Sequence, residues 1–160
     1  MSDQNHYVEM MQKSLQKKDV ILEGLLKECR KQAAVIAEPD ITWKDFDECI
    51  QAKQVLIEEL VKLDEGFTDL YERMKEEFAN HKSQYKTEIQ QMQNLIKRIT
   101  DRSVQIQTEE ERNRKAVEKA LLQAKNDIRC SKATVKAASD YYKVMSKVNL
   151  IDPQFMDQKK

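Results

Sequence analysis

Residues 79–86 read ANHKSQYK. They lie within a stretch from Phe67 to Asp152 that contains neither glycine nor proline. As one straight helix, at ~1.5 Å per residue, that stretch would reach about 130 Å. A free rod of that length has nothing against which to bury its apolar stripe, so the chain must reverse inside it. Residues 79–86 are the best place: polar, helix-neutral side chains cluster there, and the seam spacing slips from Phe78, His81 and Tyr85 to Ile89. The segment ITDRS (99–103) is a second candidate.

On the N-terminal side, Val8, Met11, Leu15, Leu22, Leu25, Cys29 and Ile36 repeat at alternating three and four, with Lys18 and Gln32 in the remaining seam positions. Gly24 is tolerated within this helix at a cost of roughly 1 kcal/mol relative to alanine. Pro39 ends it, since the residue before a proline is pushed out of helical space. Asp40 or Thr42 can cap the next helix, and Asp45 and Asp47 suit the positive end of its dipole. Its stripe runs through Phe46, Ile50, Ile57, Leu60, Phe67, Tyr71, Met74 and Phe78. Gly66 predicts a bend or loosened turn there, not a stop, because the pattern continues in register. Beyond the reversal the seam runs through Ile89, Met92, Ile96, Ile99, Ser103, Ile106, Glu110, Asn113, Val117, Leu121, Ala124 and Ile128.

The predicted fold is all-α: an elongated antiparallel three-helix bundle or coiled coil, with helices at about 4–37, 43–80 and 84–130. Residues 131–160 form a separate amphipathic segment, a short helix over 132–147 followed by a loose tail. Composition agrees. Two glycines and two prolines permit few turns, and 40% hydrophobic residues can line one face of each helix.

Charge and cysteine usage exclude several classes. The net charge is +0, so no overall field attracts nucleic acid. From Ser131 onward, however, six lysines stand against three aspartates. Cys29, Cys49 and Cys130 are odd in number, widely spaced and without a CxxC pair, as in a reduced protein. No N-terminal apolar h-region is present, and AAVIA (33–37) falls far short of the ~20 residues of a membrane span. A cytoplasmic location without membrane insertion is expected. No helix pairs a lysine-rich face with bulky apolar residues over its whole length, which disfavours a lipid-surface helix.

Catalysis is not expected. Glycines are too few for a phosphate-cradling loop, and His6 and His81 lack partners at ligand spacing, so neither metal nor cofactor is anticipated. The run TEEERNRK (108–115) reads as a solvated helix face.

Three features remain. Ser103, Glu110 and Asn113 put polar side chains on the third seam, either to set register or because this stretch faces a partner. Around Val55, Leu56, Ile57, Leu60, Val61 and Leu63 the apolar residues spread beyond one stripe, which suits the middle position in the bundle or a surface for a client. In the C-terminal segment Val135, Ala138, Tyr142 and Met145 fall at helical spacing, with Leu150, Ile151, Phe155 and Met156 beyond and Pro153 halting any helix. This segment can close the bundle, remain unfolded, or stay available to a partner; methionine and aromatic side chains adapt well to varied apolar surfaces, and the last reading is preferred.

EEERNRKAVEKALLQAKNDI (109–128), QAKQVLIEELVKLDEGF (51–67) and YYKVMSKVNLIDPQFMDQKK (141–160) together resemble the FlgN-type flagellar export chaperones of clostridia-like Gram-positive bacteria. Asn113 followed by Val117, Leu121 and Leu122, and the tyrosine-rich helix with a lysine-ended terminus, carry the likeness. The resemblance implies a cytosolic chaperone that keeps hook–filament junction proteins soluble until flagellar type III export, with contacts to export-gate or ATPase components. It also implies client capture by the C-terminal helical region. The partner-binding residues expected are Asn113, Val117, Leu121, Val135, Ala138, Tyr142, Met145, Leu150 and Phe155, on a monomer or weak homodimer. The alternative is a structural coiled-coil component or linker without chaperone activity.

Overall fold

The computed structural model describes residues 2–148. Three long helices, α1 (Ser2–Ala37), α2 (Trp43–Asn80) and α3 (Lys86–Gln123), are followed by the short α4 (Lys132–Met145). Each long helix spans about 55 Å at ~1.5 Å per residue. No strand occurs among the described residues. Cross-helix contacts fix the directions. Lys18 meets Asp64 and Tyr7 meets Arg73, so α1 and α2 are antiparallel. Gln12 meets Gln91 and Asp19 meets Arg98, so α1 and α3 run parallel. The bundle is therefore up-down-up, with α4 running down along α2.

The reversal after α2 falls at 81–85, within the predicted segment. His81 (φ −134°) and Tyr85 (φ −106°) bound the turn, both at negative φ. The His81 N–H donates to Glu77 O, and Phe78 and Tyr85 lock the corner with their rings 5.2 Å apart, edge to face. At Pro39 the chain breaks as expected. Thr42 sits at the N-cap of α2 but makes no side-chain cap, and Asp40 pairs instead with Arg129 at 2.9 Å.

As expected, α2 does not stop at Gly66, whose surroundings are open to 4 Å. Three expectations require correction. The central helix is α1, packed along both α2 and α3; the extra apolar residues of α2 are accounted for by exposed Val55 and Val61 and by Leu56, which lies 3.7 Å from the position a Gly24 Cβ would take. Helix α3 stops at Gln123, not near 130. The Asp127 carboxylate accepts from the Arg129 backbone N–H (2.9 Å), tying a turn that leaves Ile128 96% exposed. Ser131 then caps α4 by accepting from the Thr134 N–H at 3.1 Å. Lastly, the buried face of α4 is Thr134, Ala138 and Tyr141, one position away from the expected stripe. The loose tail, with Leu150, Ile151, Phe155 and Met156, lies outside the described residues.

Candidate functional site

Helix α4 is held against the bundle by polar side chains at least as much as by apolar ones. At its start the Thr134 hydroxyl donates to Asp47 on α2 at 3.0 Å. Two turns later Tyr141 enters the interior and donates its hydroxyl to Glu110 on α3. The other carboxylate oxygen of Glu110 accepts from Lys53 of α2 at 2.8 Å, and the Lys53 ammonium sits 4.3 Å from the centre of the Tyr141 ring. Cys29 of α1 places its thiol beside the same carboxylate; burial first, and then Glu110, push that thiol far above its ordinary pKa. One side chain from each of the other three helices thus converges on Glu110. Lys53 is 0% exposed and Tyr141 2%. Around the node, Asn113 donates to Cys29 O (2.9 Å) and Gln32 to the Tyr142 hydroxyl (2.9 Å).

The charged groups of this arrangement are sealed from solvent and satisfy one another. Its effect is positional. A buried lysine and carboxylate need each other's charge, and the tyrosine completes the carboxylate's hydrogen bonding. Among the described residues no three His, Cys, Asp or Glu side chains gather as a metal site, and no helix is long and apolar enough to cross a membrane.

Fixing Tyr141 in the core sets the rest of α4 at a distance from α3, and a groove of about 370 Å³ runs between them. Val117 and Leu121 form one wall; Val135, Ala138 and Tyr142 form the other. It opens toward the 124–130 turn into a cleft of about 570 Å³, where Leu121 and Val135 are joined by Leu122, Ala124 and Cys130. Leu122 is 77% exposed. Charged side chains line the edges: Arg114, Glu118 and Lys143 at one end, Lys125 and Lys132 at the other.

Five of the expected partner-binding residues, Val117, Leu121, Val135, Ala138 and Tyr142, therefore line one groove. Asn113 does not; it faces α1 and acts as an interhelical link, because it continues the buried seam of Ser103, Ile106 and Glu110. Met145 is half-buried with its sulfur 3.8 Å from the Tyr141 hydroxyl. Leu150 and Phe155 lie outside the described residues. The segment after Ser131 is also not wholly kept from the bundle, since Ala138 and Tyr141 are buried in it. Sequence reasoning missed Lys53 and Tyr141. The signal for Lys53 was the gap between Ile50 and Ile57, where the three–four alternation requires a seam residue at 53. No protein family, curated protein or solved structure matches the chain.

Proposed function

We propose that this protein is a helix-binding chaperone of the flagellar export type, which holds hook–filament junction proteins soluble before secretion and acts in the cytoplasm as a monomer or weak homodimer. The groove between α3 and α4 carries this reading: an apolar trough in which buried Val117 and half-buried Leu121 face exposed Val135 and half-buried Tyr142, shaped for the apolar stripe of a helix. A client segment that folds only when packed would hide its stripe there without ATP, and moderate affinity would allow release. Export-gate or ATPase components are the further partners on this reading.

The test is titration of purified junction proteins against the full chain and against Leu121→Asp and Val135→Asp. Binding to the parent chain with loss of at least about tenfold in each variant, at unchanged helical content, supports the proposal. Failure of every junction protein to bind, together with a defined stable oligomer in sedimentation, would favour the alternative of a structural coiled-coil component.

A further inference from the structure

The lining of the groove and its cleft carries four cations, Arg114, Lys125, Lys132 and Lys143, against one carboxylate, Glu118. Lys125, Lys132 and Lys143 make no ion pair among the described residues, although each borders the groove or its cleft. Asp140, the acid one turn before Lys143, is taken by Lys136 at 2.9 Å. The one carboxylate on the groove, Glu118, is engaged by Arg114 at 2.6 Å. The apolar trough is thus framed by three cations beyond the Arg114–Glu118 pair, of which Lys143 also acts on Asp140.

We propose that the groove selects an amphipathic helix of another protein whose apolar stripe is flanked by carboxylates. This rests on the groove being the binding site. Each wall covers eight residues, Val117–Ala124 and Val135–Tyr142, seven rises or ~10 Å of helix. Two turns of a docked helix fit that length, with apolar anchors at i, i+3 or i+4, and i+7. Acidic residues beside those anchors reach the lysines, whose aliphatic stems extend the apolar walls. Two nearer occupants are less suited. Residues 149–160 hold two aspartates and two lysines and bring no net negative charge. A second copy would set one basic rim against another.

Two synthetic amphipathic peptides with the same leucine stripe, one edged with glutamate and one with lysine, provide the test. Each is titrated into the full chain by fluorescence anisotropy at low and high salt. The glutamate-edged peptide is expected to bind about tenfold more tightly at low salt, with the advantage shrinking at high salt. The triple variant K125E/K132E/K143E reverses the preference, and Leu121→Asp abolishes binding of both. Equal affinity for the two peptides, still lost in Leu121→Asp, overturns the charge selection while leaving the groove as a binding site. Binding of neither peptide, or binding untouched by Leu121→Asp, overturns both. So does a dimer that Leu121→Asp dissociates, which makes the occupant a second copy. If a chain ending at residue 148 gains affinity for both peptides equally, the occupant is the protein's own terminus and the selection is again overturned.

Discussion

Glu110 is the residue on which most of the architecture turns. Its carboxylate is nearly sealed from water, and only Lys53, Tyr141 and the neighbouring thiol of Cys29 satisfy it. Removing one charge of such a pair leaves the other buried without compensation. Lys53→Met should therefore cost about 3–5 kcal/mol in urea unfolding, whereas Lys53→Met with Glu110→Leu should recover most of that loss. A double variant as unstable as the single one would show that the pair itself, not the stranded charge, carries the stability. Tyr141 gives a pH signature. Burial first, then Glu110, raise its phenol well above the usual 10.0. The folded state therefore favours the neutral phenol more than the unfolded chain does. That contribution is complete below pH 10.0 and is lost as the pH climbs above it. Tyrosinate absorbance should consequently lag in the native protein and appear together with unfolding, and Tyr141→Phe should blunt this alkaline sensitivity.

Individual elements show how little local punctuation a helical bundle needs. Both connections beyond α2 are made without glycine or proline, through the Phe78–Tyr85 ring contact at one and the Asp127 and Ser131 side chains at the other. Ser131→Ala removes the side-chain N-cap of α4 and should cost about 1 kcal/mol, seen as earlier amide exchange in α4 than in α1–α3. Gly66 offers the opposite case. With nothing within 4 Å of its added Cβ and a continuous helix through it, Gly66→Ala should stabilise α2 by about 0.5–1 kcal/mol and raise the unfolding midpoint. A drop in the midpoint would mean that the glycine serves a close approach.

For the molecule as a whole, α4 is both part of the bundle and one wall of the groove. A chain ending at residue 130 should keep the helical signal of α1–α3 and lose groove binding. It should also unfold at lower urea than the full chain, because Tyr141 no longer covers Lys53 and Glu110. A truncated chain as stable as the parent would mean that the node closes without its fourth helix. Circular dichroism with urea titration decides between these.

The sequence by itself determined the class and most of the packing. Three–four spacing named Met11, Leu15, Leu22, Phe46, Met92, Ile99 and Ile106 as core, and all are buried. It placed both breaks flanking α2 and the start of α4, and it identified Lys18, Gln32, Ser103, Glu110 and Asn113 as polar seam positions. These follow from periodicity, a local property that survives without knowing the partner. Only the tertiary structure decided that α1 is central, that Tyr141 and not Tyr142 enters the core, and that Lys53 meets Glu110. A helix repeat fixes which residues share a face but leaves its rotation free by one position until neighbours set it. The partners of a buried charge, far apart in sequence, are chosen only when the helices assemble.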